Sequence, residues 1–239
     1  MLEIYDDQST LSAALAGLFA RKAREAVAAR GRFDVLLCGG DTPLAGYRLL
    51  GREPLRSTIP WQSVQLFWGD ERHVPHNDPR SNFLSARRAL LEPLALSPDQ
   101  VHIVPYAATA EQAAREYEEE LRRHFGDSPV FDLVLLGLGG DGHTASLFPG
   151  TEVLKERQRW VRGVCPPGQE LCRVTVTLPV LNRARLAAFV VAGDAKAEIL
   201  ARVLKGPRDP YRLPAQLVDP GEGRLLWLAD RQAARLLAA

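Results

Sequence analysis

Residues 131–149 read Phe-Asp-Leu-Val-Leu-Leu-Gly-Leu-Gly-Gly-Asp-Gly-His-Thr-Ala-Ser-Leu-Phe-Pro. The first six, with Asp132 as their one polar residue, make an apolar run without polar alternation, the pattern of a strand covered on both faces. The run then breaks into four glycines within six residues, around one carboxylate and one imidazole. Glycine carries the largest backbone entropy cost of any residue, so such a density needs a reason, and a ligand in close approach is one.

Working outward, the same grammar repeats. Residues 33–38 (FDVLLC), 64–68 (VQLFW) and 186–191 (LAAFVV) are short apolar runs, each ending at or just before glycine. Weaker strands are expected at 101–104, 173–177 and 225–228. Helical patterns lie between them. One is expected to start near Ser9 or Thr10 and stop at Gly31, and another to open near Pro43. Others are expected at 81–91, 110–124, 195–204 and 230–239. Buried strands alternating with helices predict an α/β fold, a mostly parallel Rossmann-like sheet with helices on both faces. No linker, repeat or low-complexity block interrupts the chain, so residues 1–239 are expected to form one domain. In such sheets ligands bind beyond the carboxyl ends of the strands, which directs attention to the segments after Cys38, Trp68, Leu136 and Val191.

Thirty Lys and Arg against 29 Asp and Glu give a net charge of +1, which offers no general field for nucleic acid. No apolar stretch approaches the roughly 20 residues of a membrane span. The amino-terminal residues lack the pattern of a secretion signal. Cys38, Cys165 and Cys172 are odd in number and lack CxxC spacing. Neither a disulfide framework nor a structural zinc site is expected, and a reducing, cytoplasmic location is.

Four further segments offer chemistry. Gly39-Gly40-Asp41-Thr42-Pro43 suits a backbone N–H cradle for an anion at a helix start, and equally a plain strand-to-helix turn. Asp70-Glu71-Arg72 sets a guanidinium that can fork onto phosphate beside carboxylates, or is a solvated charge cluster. His73 and His76 read as ordinary loop histidines. Lys196 follows a strand end at the start of a helix, where the dipole disfavours a cation unless an anion compensates. Arg208 and Arg212 sit in a proline-rich loop and are either phosphate ligands or surface arginines. Within 137–149, His143 is a candidate general base, Asp141 its orienting partner, and Gly140 part of the cradle. A metal at Asp141 and His143 lacks further ligands at recognisable spacing. Ser146 lacks the GxSxG elbow of a nucleophile.

In this order the segments resemble the 6-phosphogluconolactonase family. Residues 137–149 resemble its GxGxDGHTASLFP signature, supported by GGDTP at 39–43, DER at 70–72 with SN at 81–82, GxxK at 193–196 and LPAQLV at 213–218. The resemblance implies a fold like that of glucosamine-6-phosphate deaminase and ribose-5-phosphate isomerase. It implies hydrolysis of 6-phospho-D-glucono-1,5-lactone in the pentose phosphate pathway, without metal or organic cofactor, and with His143 as base. A small sugar phosphate is the implied ligand, with neither nucleic acid nor membrane as partner, and the chain is expected to be a monomer or weak homo-oligomer. Gly39, Gly40, Thr42, Asp70, Arg72, Gly140, Lys196, Arg208 and Arg212 are the implied substrate- and phosphate-binding residues. The family often carries Ser or Arg where this chain has Asp41, so the cradle there rests on the backbone. Deaminases on the same scaffold continue after the histidine with an FNEP-like stretch, where this chain has Thr144 to Pro149. A non-catalytic sugar-phosphate sensor is the remaining alternative.

Overall fold

The computed structural model describes residues 1–94 and 96–237. Ten strands occur in chain order: β1 (Leu2–Tyr5), β2 (Phe33–Leu37), β3 (Val64–Trp68), β4 (Asp70–Arg72), β5 (Val101–His102), β6 (Leu133–Leu136), β7 (Val161–Val164), β8 (Arg173–Val176), β9 (Leu186–Val191) and β10 (Arg224–Asp230). Seven form one parallel sheet in the order β1-β10-β9-β6-β2-β3-β5. Every residue of β2, β6 and β9 is buried, as their uninterrupted apolar runs require.

The order carries the functional geometry. From β2 the chain builds outward through β3 to β5, then returns to the other side of β2 and builds through β6, β9 and β10. The winding reverses between β2 and β6. A crevice opens at the carboxyl ends of adjacent strands where this happens.

A second sheet, β4-β8-β7, is antiparallel and was not anticipated. Its β4 and β7 are three and four residues long, too short for composition to announce, while β8 lies within the strand expected at 173–177. It corrects one expectation outright, because Cys165 and Cys172 form a disulfide. Val164 pairs with Arg173 at the end of the β7–β8 ladder, so the next residue on each strand is a cysteine facing the other. Their Cα atoms are 4.1 Å apart. Spacing along the chain does not show this proximity; antiparallel register does. The cysteine argument for a reducing compartment therefore falls away.

Helix boundaries shift for identifiable reasons. Helix Gln8–Arg30 starts before Ser9 because Asp7 caps it, accepting from Thr10 N at 2.8 Å while Thr10 Oγ1 accepts from Asp7 N at 3.1 Å. It ends at Gly31 as expected, in the left-handed conformation. Helix Asp41–Leu50 starts two residues before Pro43, which occupies the first turn, where a missing N–H costs nothing. Ser81 caps helix Asn82–Ala86, which widens into a π-turn over Arg87–Leu91. The strand expected at 101–104 is only Val101–His102. The helix expected at 195–204 opens as a 3-10 turn, Asp194–Lys196, before Ala197–Lys205. The terminal helix is Arg231–Ala234, and the last two residues of the expected 230–239 lie outside the described residues.

Candidate active site

A cavity of about 480 Å³ occupies the crevice at the winding reversal. Its walls come from 38–43 after β2, from Asp70, Arg72 and Asn82, from 137–145 after β6, and from 190–196 around the end of β9. A depression of about 500 Å³ lies at the opposite, amino ends of the strands, near Met1, Arg30, Asp132, Arg185 and Arg224. There Asp132 already pairs with Arg30 at 2.6 Å and with Arg185 at 3.4 Å, and no histidine contributes. The chemistry therefore belongs to the crevice.

His143 Nδ1 lies 2.6 Å from Asp141 Oδ1, which also accepts from the His143 backbone N–H at 3.0 Å. An ionised carboxylate only accepts, so Nδ1 carries a proton, and in the neutral ring Nε2 presents the lone pair. Burial, the largest single influence, pushes the Asp141 carboxyl up, but the bonds from the His143 ring and backbone outweigh it and hold Asp141 below the usual carboxylate range. The imidazole lines the cavity, tilted against Phe148 with ring centroids 4.3 Å apart.

The glycines make this placement possible. A Cβ at Gly139 would run into the imidazole itself, so the ring lies directly on the loop backbone. Gly142 adopts φ +86°, and a Cβ there would also press on Leu213 at 2.8 Å. Among the described residues Ala145 is the one non-glycine with positive φ, at 47°, and it too lines the cavity. Ser146 is fully buried and its hydroxyl donates to Asp70 Oδ2 at 2.7 Å, which removes it as a nucleophile.

Asp70 and Arg72 reach the cavity from β4, whereas Glu71 points the other way and is buried. Its carboxylate takes N–H bonds from Arg72, Asn82 and Phe83 at 2.7 Å each and the Ser81 hydroxyl at 2.9 Å. Glu71 thus folds the 73–82 loop back onto β4. Burial, countered only in part by these four bonds, raises its carboxyl above the usual range. The loop histidines are bonded to backbone as expected, His73 to the Ala107 carbonyl at 3.0 Å and His76 to that of Val104 at 2.8 Å.

Arg72 Nη1 donates to the Arg80 carbonyl at 2.7 Å and makes no ion pair among the described residues. Lys196 lines the cavity, also without a carboxylate partner there. Between them the helix Asp41–Leu50 presents its first turn, and its Gly40 cap supplies no side-chain bond, which leaves backbone N–H groups facing the crevice. Gly39, Gly40, Thr42 and Gly140 line the same cavity. Asp41 is exposed at its edge.

Two expected residues are not brought in. Arg208 and Arg212 are exposed outside the lining, Arg212 with 81% of its side chain free and 3.8 Å from Asp209. The 213–218 segment contributes indirectly, since Leu213 packs under Gly142 and Ala215 N bonds the Gly142 carbonyl at 2.9 Å. Conversely, Asn82 enters the wall and donates to the Asp70 carbonyl at 2.9 Å. Only its place beside Ser81 in the sequence hinted at it. Cys38 also lines the cavity, but burial pushes its thiol up to about 12 against a lowering bond from Tyr47, so it is no thiolate nucleophile. Among the described residues no three of His, Cys, Asp and Glu converge as a metal site.

Comparison with known proteins gives a consistent result. The sequence profile described as glucosamine-6-phosphate isomerases/6-phosphogluconolactonase matches residues 6–227. A 6-phosphogluconolactonase of Synechocystis sp. is 42% identical over 218 residues, covering 89% of this chain and 88% of its own. The 6-phosphogluconolactonase of Homo sapiens is 41% identical over 249 residues, covering 99% and 93%. The solved 6-phosphogluconolactonase of Trypanosoma brucei superposes with a TM-score of 0.88 at 28% identity, covering 100% of this chain and 98% of that one.

Proposed function

The chain belongs to the glucosamine-6-phosphate isomerase/6-phosphogluconolactonase family, and from that premise we propose that it hydrolyses 6-phospho-D-glucono-1,5-lactone to 6-phosphogluconate with His143 as general base. The observation that carries the reading is the Asp141–His143 pair on the wall of a cavity that also holds Arg72 and Lys196. One end of the site suits proton transfer and the other an anion.

The reaction is acyl transfer to water. The Nε2 lone pair of His143 takes a proton from water as the oxygen bonds to C1 of the lactone. Asp141 fixes the tautomer and stabilises the imidazolium that forms. Loop N–H groups of the 137–145 turn offset the charge developing on the carbonyl oxygen. The tetrahedral species collapses with cleavage of the C1–ring oxygen bond, and the imidazolium returns its proton to the departing oxygen. Atoms and charge balance without a covalent enzyme intermediate. Arg72, Lys196 and the helix 41–50 cradle hold the 6-phosphate, so binding energy remote from C1 orients the ring. The described chain acts as one functional unit, because the cavity draws on residues from Cys38 to Lys196. No helix among the described residues is long and apolar enough to cross a membrane.

The test is hydrolysis of freshly generated lactone, coupled to NADP reduction by excess 6-phosphogluconate dehydrogenase and corrected for spontaneous opening. Wild type should turn over well above background. His143→Ala should lose roughly 10²–10⁴-fold in kcat, the scale of general acid–base catalysis. An unchanged kcat would remove His143 as base. Ammonia release from glucosamine 6-phosphate without lactone turnover would instead assign the chain to the deaminase branch.

A further inference from the structure

Asn82 is fixed on three sides and open on one. Its residue exposure is only 3%. Its backbone N–H donates to Glu71 Oε1 at 2.7 Å. Its side-chain Nδ2 donates to the Asp70 carbonyl at 2.9 Å, with Asp70 Oδ1 further off at 3.4 Å. On another side the amide lies directly against the turn after β2, since a Cβ at Gly39 would land on it. Glycine at 39 is therefore required by a side chain of the protein, before any ligand is considered. The same contacts decide which way the amide faces. Flipped, its oxygen would meet two acceptors of Asp70.

The amide oxygen is left over. No donor among the described residues reaches Asn82 Oδ1. Nor is it sealed inside the protein, where the unpartnered side-chain atoms are Arg162 Nε and Arg173 Nη1. A residue this buried with an acceptor still open presents it to the cavity that it lines. Asp70 beside it is in a similar state. Its Oδ2 accepts the Ser146 hydroxyl at 2.7 Å, while its Oδ1 has only the long contact to Asn82 Nδ2. Two acceptor oxygens thus stand together on this part of the wall. Acceptors repel phosphate oxygens and attract hydroxyl hydrogens. Arg72, Lys196 and the N–H groups of helix 41–50 offer donors alone. The wall therefore divides into a stretch that suits an anion and a stretch that suits hydroxyl groups.

We propose that Asn82 Oδ1 accepts a hydrogen bond from a ring hydroxyl of the substrate, and so selects a polyhydroxylated lactone. The inference rests on the lactone reading of the cavity and adds to it how the ring is recognised. The ring of the 1,5-lactone carries hydroxyls at C2, C3 and C4, and one of them is the donor. A site built around a hydroxyl disfavours an analogue without it, because the acceptor is then desolvated and unpaired. The contact also orients. The phosphate is one fixed point, and a hydroxyl held by Asn82 is a second, which limits rotation of the ring and turns C1 toward His143.

The experiment compares wild type, Asn82→Ala and Gly39→Ala on four substrates. These are the 6-phosphorylated 1,5-lactone and its 2-, 3- and 4-deoxy analogues, freshly made by oxidation of the corresponding sugar phosphates. Hydrolysis is followed by the proton released with the new carboxylate. Wild type should lose roughly 3–10-fold in kcat/KM on one of the three analogues, the scale of one neutral hydrogen bond. Asn82→Ala should lose a similar factor on the full lactone, yet match wild type within about twofold on that analogue. Gly39→Ala keeps Asn82 but places a Cβ where the amide lies, so it should erase the same preference. The readout is a ratio between substrates. Damage to the fold or to the phosphate grip lowers all four rates alike and leaves that ratio unchanged. A preference that survives in both variants would overturn the proposal, and so would a wild type indifferent to all three deletions. If Asn82→Ala fails to fold, Gly39→Ala decides by the same ratio. A wild type that hydrolyses no lactone sinks the parent reading and this inference with it. One that hydrolyses lactone, with losses that simply multiply, sinks this inference alone.

Discussion

At the scale of single residues, the site depends on an imidazole whose tautomer is chosen by a neighbour two positions away. Asp141 is bonded to both the ring and the backbone N–H of His143, and its carboxyl lies below the usual range despite burial. A depressed carboxyl stays ionised as pH falls below the ordinary aspartate value, and its support is lost only as pH falls through its lowered folded value. In the range where histidine groups titrate, Asp141 therefore remains charged. Between about pH 5 and 7 the acid limb of kcat should therefore take up the same number of protons in wild type and in Asp141→Asn, and one more in wild type would mean that Asp141 titrates there as well. Asp141→Asn can meet the ring with either its oxygen or its amide, so the tautomer is no longer enforced. It should lower kcat by roughly 10–10²-fold, a share of the general-base contribution, with KM little changed. Equal kcat values for variant and wild type would reduce Asp141 to a turn-former. This pair was legible in the sequence because glycine density and a two-residue spacing are local signals. The pairing of β4 with β8 was not, because it is made by register between strands a hundred residues apart.

Among secondary-structure elements, legibility followed length and burial. The strands β2, β3, β6 and β9 stand out as apolar runs because both faces are covered, so composition alone reports them. The strands β4 and β7 are short and carry charges and a glycine, and only pairing makes them strands. The loop after β4 is held by one carboxylate, and a prediction belongs to it. Glu71 accepts two donors on each oxygen: Arg72 N and Asn82 N on one, Phe83 N and Ser81 Oγ on the other. Glu71→Gln turns one oxygen into an amide donor that faces two donors. The cost should be about 1–3 kcal/mol, the range for leaving buried polar groups unsatisfied. Chemical denaturation should show a lower midpoint with an unchanged slope. KM should also rise, since Asp70, Arg72 and Asn82 flank the displaced loop. A variant as stable as wild type would show that the loop is held by other contacts.

The whole molecule adds what no segment contains. The cavity exists because the winding reverses between β2 and β6, which brings residues after Cys38 against residues after Leu136. Loops on the two sides of the reversal have no continuous backbone to fix their separation. A ligand touching both sides therefore links them thermodynamically. For 6-phosphogluconate at about 100 times its dissociation constant, linkage adds about 2.7 kcal/mol to unfolding. In a chain of this size each kcal/mol moves Tm by roughly 2–4 °C, so the shift should be roughly 5–10 °C. Hydrogen exchange should slow together in 38–43, 70–82, 137–145 and 190–196, the four segments that form the wall. His143→Ala should keep most of the shift, because the base acts on the transition state and the product needs only the anion grip. Arg72→Gln should lose most of it. Protection confined to the β2 side, or a Tm shift that vanishes with His143 but survives loss of Arg72, would place the phosphate elsewhere and reverse the orientation of the substrate in the crevice.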